Sequence, residues 1–200
     1  MKFYVDFDDC LCETAKSFTL IVEKLFGKTV PYENIGFFNL QKSFNLTDRQ
    51  YEQLMIEGHR PETLLSYEEA QGASQVLNGL MDEGHEVFVI TGRPNSAYEP
   101  SRKWLDEHKL QRARLYTLNK YGRDTFIKNS EFNLDIEDYR RIKFDYAIED
   151  SPQAFEFFNH LPDLKVMVYD RPWNRECSLP ENFFRCKNWK MISEMIKLSI

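Results

Sequence analysis

Hydrophobic residues follow two alternating patterns along the chain: short β-rich runs and longer stretches with helical spacing. The runs cover residues 2–7, 86–91, 113–118, 143–148 and 164–169. Strand and helix signals that alternate in this way are typical of a parallel sheet with helices on both faces. The second run is hydrophobic at four successive positions, Val87-Phe88-Val89-Ile90, which indicates a central strand covered on both sides. The pattern therefore predicts an α/β fold.

About eighty residues separate the first two runs, too many for one crossover helix. A helical face with Ala15, Phe18 and Val22 opens this stretch and ends at Gly27. Capping-box patterns at 47–50 and 66–69 predict that two further helices begin there. The last helix, 73–83, is the expected crossover of the sheet. We predict an α/β core of residues 1–14 and 66–200, with a small helical cap at 15–65.

Composition limits the classes of function that fit. With 42% hydrophobic and 29% charged residues, the chain can bury a core. Its formal charge is −6 with dispersed Lys and Arg, which argues against duplex nucleic acid as a partner. No 18-residue apolar run predicts a membrane span, and no signal peptide is evident. The 4 cysteines do not suggest a disulfide scaffold, so we expect a cytoplasmic protein with reduced thiols.

The first apolar run ends in three carboxylates, Asp6, Asp8 and Asp9. Side chains on a strand alternate, so Asp6 and Asp8 should share one side while Asp9 points away. Ligands of open α/β sheets bind at the carboxyl ends of the strands, where these residues fall. Two carboxylates this close repel each other unless one is protonated or a cation lies between them. Since hard divalent cations prefer oxygen ligands, we predict Mg²⁺; an acidic turn is the alternative.

Two further strand ends carry groups suited to phosphate and metal. The run 86–91 leads into Thr91-Gly92-Arg93-Pro94, where a hydroxyl and backbone N–H groups could hold phosphoryl oxygens. This stretch also fits an ordinary turn. The run 143–148 leads into Glu149-Asp150-Ser151-Pro152. An apolar run that ends in acids thus occurs twice, and both strand ends could converge on one metal.

Together these motifs resemble those of the haloacid dehalogenase-like (HAD) superfamily, which lie at successive strand ends. Asp6-Phe7-Asp8 resembles the first motif, Thr91 the second and Glu149-Asp150 the fourth. The resemblance spans nearly the whole chain in the right order. It implies a Rossmann-like α/β core, a parallel sheet with helices on both faces. A helical insert directly after the first motif resembles the C1-type cap of the superfamily.

A finer resemblance is to the 5′(3′)-deoxyribonucleotidase group and its bacterial nucleotidase relatives. It rests on Thr91-Gly92-Arg93-Pro94 with Trp104-Leu105, on Tyr169-Asp170-Arg171-Pro172-Trp173-Asn174, and on Asn188-Trp189. Two places depart from the usual pattern. Asp9 and Cys10 follow the second aspartate, where Gly or Asp and then Thr or Val are usual. Glu149 replaces the first aspartate of the fourth motif, so the resemblance implies that Asp150 contacts the metal and Glu149 lies behind it.

The third motif of the superfamily is one lysine upstream of the fourth, and the sequence offers three candidates. Lys128 has a spacing that resembles that of polynucleotide kinase-phosphatases, and we predict that it is the motif-three lysine. Lys120, just past the third run, is the second choice. Lys143 begins at the wrong end of its strand for this site. For each, a solvated surface lysine is the alternative.

The resemblance implies a mechanism in which Asp6 attacks the phosphoryl group and forms an aspartyl-phosphate. Asp8 protonates the leaving oxygen and then deprotonates the attacking water. The cofactor is Mg²⁺, held by Asp6, Asp150 and the backbone carbonyl of Asp8. The phosphoryl oxygens are bound by Thr91, Gly92 and Lys128.

Substrate choice should rest with the predicted cap, because the core recognises only phosphate. Aromatic rings could stack on a nucleobase, a contact worth about 1–3 kcal/mol in single-strand binders. Phe18, Phe37 and Phe38 are our candidates for substrate contact, together with Arg93. Most cap aromatics otherwise form the cap's own core. The four histidines show no metal-ligand spacing, so we expect them at surface or core positions.

The sequence thus predicts a Mg²⁺-dependent phosphatase acting on a small phosphorylated substrate, a nucleoside monophosphate, with no membrane partner. A sugar-phosphate or polynucleotide-end phosphatase is the alternative within this chemistry, and the dispersed basic residues argue against the polynucleotide. Another alternative is a HAD-like binding protein that has lost catalysis. The presence of both Asp6 and Asp8 argues against it. A phospho-receiver domain would lack the helical insert. The oligomeric state is left open, a homodimer included.

Overall fold

A parallel sheet forms the centre of the computed structural model, which describes residues 1–120 and 131–198. Within these residues the sheet has seven strands in the order β4-β3-β2-β1-β5-β6-β7. They are β1 (Lys2–Val5), β2 (Glu86–Thr91), β3 (Arg114–Leu118), β4 (Asn133–Leu134), β5 (Tyr146–Glu149), β6 (Lys165–Tyr169) and β7 (Phe183–Cys186). Because β1 lies between β2 and β5, the carboxyl ends of these three strands meet at one edge of the sheet.

Helices cover both faces of this sheet. In the described ranges they are α1 (Thr14–Phe26), α2 (Leu40–Ser43), α3 (Asp48–Gly58), α4 (Pro61–Leu65), α5 (Ala73–Asp82), α6 (Tyr98–Glu107), α7 (Ile136–Arg141), α8 (Pro152–Phe158) and α9 (Trp189–Lys197). The first five lie between β1 and β2. α1 ends where predicted, at Gly27, whose φ of 64° is left-handed and suits a residue without Cβ. α3 begins with the predicted capping box of Thr47 and Gln50.

Successive residues of β1 are buried in two different cores, one on each face of the sheet. Phe3 and Val5 are buried in a core that also contains Phe18 of α1 and Leu54 of α3. Tyr4 is buried on the other face, where its ring meets Phe158 of α8 edge to face at 5.3 Å. The helices between β1 and β2 therefore share one continuous apolar core with the sheet.

Three elements differ from the sequence prediction. The predicted helix start at Ser66 is wrong. Ser66 is the C-cap residue of α4, and the next helix begins at Ala73. The segment between them instead pairs with the turn after β1: Glu13 N–H donates to Glu68 O at 2.9 Å, and Ala70 N–H donates to Leu11 O at 2.8 Å. β4 and β7 were not predicted, since two to four residues are too short for a clear periodicity.

No helix in the described ranges combines the length and the apolar content that crossing a lipid bilayer requires. The longest, α1, has 13 residues and carries lysines along its length.

Candidate active site

Asp6 lies at the centre of the carboxyl edge of the sheet, directly after β1. Its backbone N–H donates to Ile148 O of β5 at 2.9 Å, which extends the pairing of the strands by one residue. Its carboxylate is 5% exposed, and Oδ1 accepts from Lys120 Nζ at 2.6 Å. Burial, followed by the negative charge of Glu149, raises the pKa of Asp6 to about 8, although Lys120 opposes the shift. Asp6 is thus a buried acid with the Lys120 ammonium beside it.

Glu149 lies behind this pair and fixes the lysine. Its Oε2 accepts from Lys120 Nζ at 3.2 Å and from the Tyr4 hydroxyl at 2.8 Å. Its Oε1 accepts from the backbone N–H groups of Asp150 and Ser151, each at 3.1 Å. Glu149 is completely buried, and both of its carboxylate oxygens accept hydrogen bonds from these partners. It therefore positions Lys120 and the turn that carries Asp150.

Asp6 and Asp150 provide the chemistry of a divalent-cation site. One carboxylate oxygen of each and Cys10 Sγ lie within 4.8 Å of one another. Two carboxylates in this arrangement suit a hard cation such as Mg²⁺. Burial, and next the charge of Asp150, raises the pKa of the Cys10 thiol well above its usual value, which keeps it a poor metal ligand. Burial and the charge of Glu149 also raise the pKa of Asp150, although Arg171 opposes the shift.

Asp8 faces different partners from Asp6. Arg93 Nη2 lies 2.8 Å from Asp8 Oδ1, Arg93 Nε lies 3.0 Å from Oδ2, and the Thr14 hydroxyl donates to Oδ1 at 2.6 Å. Burial favours the neutral acid, but the charge and hydrogen bonds of Arg93 outweigh it and lower the pKa of Asp8. The Asp8 carboxylate is therefore held towards Arg93 and Thr14; the predicted role of its backbone carbonyl stays a prediction.

Two of the predicted phosphate-binding residues, Thr91 and Gly92, lie at the carboxyl end of β2. Thr91 is 1% exposed, and its Oγ1 accepts from the Arg93 N–H at 3.1 Å, which leaves the hydroxyl proton available to an acceptor in the site. Gly92 and Arg93 line the adjoining cavity. Arg93 was a candidate for substrate contact, yet its guanidinium binds Asp8 and Ser101 and stacks 4.0 Å from the centre of the Phe7 ring.

Among the described residues, Lys120 is the lysine in contact with Asp6, although the sequence ranked it second. Lys128, the first choice, lies outside the described residues. Lys143 is exposed and precedes β5, at the end of that strand opposite to Glu149. Lys120 follows β3, the neighbour of β2, and reaches across to both Asp6 and Glu149. Lys120 reaches Asp6 because β3, β2 and β1 are neighbours in the sheet. The sequence around Lys120 does not reveal this order of strands.

A cavity of about 120 Å³ opens above the carboxylates, between the edge of the sheet and the helices that follow β1. Asp6, Asp8 and Asp150 contribute to its lining from the strand ends, and Phe18, Phe38 and His59 contribute from the segment between β1 and β2. Phe37 is not among its lining residues; it is 47% exposed and its ring packs against Lys42 Nζ at 3.6 Å. Sequence reasoning missed His59, because the isolated histidine at the end of α3 carries no local signal.

Comparisons with known proteins agree with this architecture. Residues 1–199 match the family model "5' nucleotidase, deoxy (Pyrimidine), cytosolic type C protein". A protein of Halalkalibacterium halodurans named "putative nucleotidase" is 27% identical over 188 residues, which cover 94% of this chain and 88% of that protein. A protein of the same name from Bacillus cereus is 22% identical over 200 residues, 98% of each chain.

Solved structures show the same fold at low sequence identity. The D,D-heptose 1,7-bisphosphate phosphatase of B. bronchiseptica, solved with magnesium and phosphate, is 12% identical and aligns over 100% of both chains with a TM-score of 0.56. A protein of Clostridium acetobutylicum described as "a predicted phosphatase" is 14% identical, with a TM-score of 0.57 over 100% of this chain and 98% of its own. The match over nearly all residues shows that the chain belongs to the cytosolic type C 5′-nucleotidase family, a group of HAD-like phosphatases.

Proposed function

We propose that this phosphatase hydrolyses nucleoside monophosphates through an aspartyl-phosphate on Asp6, with Mg²⁺ as cofactor. The observation that carries the proposal is the position of Asp6: its carboxylate lines the cavity, contacts Lys120 at 2.6 Å, and has Asp150 within reach of a shared cation. A nucleophile, a fixed cation and a carboxylate pair are the groups that phosphoryl transfer requires.

Asp6 supplies the nucleophile. One of its carboxylate oxygens attacks phosphorus, and the bond from phosphorus to the leaving alcohol oxygen breaks. Asp8 donates a proton to that oxygen and then removes one from the water that attacks the aspartyl-phosphate. Inorganic phosphate leaves and Asp6 is regenerated. The hydrogen bonds from Arg93 and Thr14 fix the Asp8 carboxylate at the cavity wall and favour its ionised form, which suits the step in which it removes a proton from water.

Charge at the phosphoryl group has to be offset before two anions can approach. Bound Mg²⁺, with Asp6 and Asp150 as ligands, would supply positive charge and polarise a phosphoryl oxygen. Lys120 adds a fixed positive charge beside Asp6, held in place by Glu149. The Thr91 hydroxyl and the backbone N–H groups after it are placed to donate to phosphoryl oxygens. We assign Lys120 the role that the sequence suggested for Lys128.

The helical side of the cavity supports a nucleoside as the leaving group. Phe18, Phe38, Tyr51 and Tyr67 contribute aromatic rings to the lining, and His59 contributes a polar edge. Aromatic faces bind any base by stacking, whereas sugar phosphates offer no flat apolar surface. The names of the relatives from H. halodurans and B. cereus agree with this choice. We propose that residues 15–65 act as the cap that selects the substrate.

Phosphate release from a panel of nucleoside monophosphates, sugar phosphates and p-nitrophenyl phosphate tests the proposal. Each substrate is assayed with Mg²⁺, with EDTA, and with the variant Asp6→Asn. Asp82→Asn, an exposed aspartate of α5, is the matched control. We expect release with nucleotides that EDTA and Asp6→Asn abolish and Asp82→Asn leaves intact. A folded, Mg²⁺-binding protein that releases no phosphate would overturn the proposal in favour of a binding role, and preference for sugar phosphates would overturn the nucleotide assignment.

A further inference from the structure

The turn after β6 contacts both segments that carry the metal-binding carboxylates. The Trp173 indole N–H donates to Asp150 Oδ2 at 2.8 Å, and both side chains are buried, at 8% and 2% exposure. We propose that Trp173 is a positioning residue that orients the Asp150 carboxylate for the divalent cation. The inference rests on the cation site of the proposed function and adds a residue that the sequence motif contained without a role.

The two carboxylate oxygens of Asp150 have different partners. Oδ2 is occupied by Trp173, while Oδ1 lies on the side of Cys10, 3.8 Å from its Sγ. A bound cation requires ionised Asp150, and a hydrogen bond to an ionised acceptor is stronger than one between neutral groups. Rotating the carboxylate away in that state would break a strong bond in a buried place. Trp173 therefore leaves Oδ1 on the side of Cys10, whose thiol lies among the candidate ligand atoms.

The turn that carries Trp173 is itself fixed at several points. Asn174 Nδ2 donates to Asp150 O and to Tyr169 O, each at 2.8 Å, and its Oδ1 accepts from Arg185 Nη1 at 2.7 Å. Arg171 Nε donates to Asp9 O at 2.7 Å, in the turn that follows β1. Arg171, Trp173 and Asn174 thus hold the turn after Asp6, the Asp150 carboxylate and the Asp150 backbone, respectively. A rigid support of this kind keeps ligand geometry constant when a cation enters.

The other two tryptophans of the chain, Trp104 and Trp189, differ from Trp173 in the acceptor of the indole hydrogen bond. All three are buried and each indole donates one hydrogen bond. Trp104 donates to Tyr67 O at 2.8 Å and Trp189 to Cys10 O at 2.9 Å, both backbone carbonyls. In the described part of the chain, Trp173 alone among them donates to a carboxylate. Loss of an indole from the core is common to all three replacements, whereas loss of a carboxylate partner is specific to Trp173.

Calorimetric titration with Mg²⁺ in the absence of substrate tests the inference on the full-length protein. The variants are Trp173→Phe, which keeps an aromatic ring without the N–H donor, and the matched control Trp104→Phe. We expect Trp173→Phe to raise the Kd of Mg²⁺ about 10–100-fold, the usual effect of losing a group that supports a metal ligand. Trp104→Phe should leave this Kd unchanged. An unchanged Kd in Trp173→Phe, or an equal loss in both variants, would overturn the inference.

Fluorine NMR of the protein labelled with fluorotryptophan keeps the test valid if Trp173→Phe does not fold. The natural chain gives 3 signals, and Trp104→Phe and Trp189→Phe identify two of them, which leaves the third to Trp173. We expect Mg²⁺ to shift the Trp173 signal and not that of Trp104. A Trp173 signal that stays still at saturating Mg²⁺ would overturn the inference. Neither measurement involves phosphate release, so a protein that binds Mg²⁺ without hydrolysing nucleotides would fail the proposed function alone.

Discussion

Arg93 binds the carboxylate of Asp8 through two nitrogens, with Nη2 2.8 Å from Oδ1 and Nε 3.0 Å from Oδ2. The two residues are 85 positions apart and follow neighbouring parallel strands. Arg93 is 2% exposed, and its remaining nitrogen, Nη1, donates to Ser101 Oγ at 2.8 Å. A guanidinium fixed by ring stacking and five hydrogen bonds orients the acid that the mechanism uses for proton transfer.

Replacing Arg93 by Gln should destabilise the protein and slow hydrolysis. The variant leaves the Asp8 carboxylate without its counter-charge, and breaking a buried pair costs about 3–5 kcal/mol. We expect about 3 kcal/mol, the lower end, because the Asp8 side chain is 31% exposed. The misplaced Asp8 should reduce kcat about 100-fold. Urea unfolding and phosphate-release kinetics measure the two effects.

Arg112→Gln is the matched control for that experiment. Arg112 pairs with Asp82 at 2.7 Å on the surface, where the two side chains are 52% and 71% exposed. An exposed pair contributes about 0–1 kcal/mol, so the control should lose little stability and no activity. Equal losses of stability in both variants would contradict the buried role of the Arg93 pair.

Lys120, Lys128 and Lys143 can be distinguished by replacing each with Met. Only Lys120 contacts Asp6 and Glu149 in the described part of the chain, and removal of one fixed donor from a charge-stabilising site reduces kcat by about 10²–10³. We expect this loss for Lys120→Met and wild-type kcat for the other two variants. Lys120→Arg should recover part of the rate, because it retains the charge with altered geometry. A loss confined to Lys128→Met would reassign the catalytic lysine.

Local patterns in the sequence predicted the acids of this site, whereas its long-range pairs required the fold. An apolar run that ends in Asp6 and Asp8 is visible within a few residues, as is the helix that stops at Gly27. A contact between Lys120 and Asp6 spans 114 positions and depends on the order of the strands, which periodicity does not report. The false helix start at Ser66 has the same cause, since backbone pairing with the turn after β1 overrides the local capping signal.

Stabilisation by Mg²⁺ should increase with pH. The pKa of Asp6, raised to about 8 by burial and Glu149, means that the metal-free folded protein retains a proton that the unfolded chain releases near pH 4. The metal-free protein should therefore lose stability as pH rises between these values. Mg²⁺ requires the ionised carboxylates, so it competes with protons below about pH 8 and binds more tightly above.

Thermal unfolding with and without Mg²⁺ at several pH values measures this effect. We expect a small Mg²⁺-induced rise in Tm at about pH 6 and a larger one at about pH 8.5, because ligand stabilisation follows affinity. Asp6→Asn removes one of the buried acids with a raised pKa and should weaken the pH dependence of Tm in the metal-free protein. A Mg²⁺ effect of constant size across the range would show that Asp6 is already ionised in the folded protein.

Two helical glycines, Gly58 and Gly79, should respond oppositely to replacement by Ala. A Cβ on Gly79 of α5 would meet no atom within 4 Å, so Gly79→Ala should raise the free energy of unfolding by about 0.4–1 kcal/mol. A Cβ on Gly58 of α3 would lie 2.4 Å from Phe18 Cε1, and the Phe18 ring is buried against the cavity. Gly58→Ala should therefore lower the free energy of unfolding by about 1–3 kcal/mol, as overpacking does.

Because the displaced Phe18 ring belongs to the cavity wall, KM for the best nucleotide should rise in Gly58→Ala and stay unchanged in Gly79→Ala. Urea unfolding and steady-state kinetics measure both effects, and a Gly58→Ala protein that loses stability without a change in KM would exclude Phe18 from the substrate contacts.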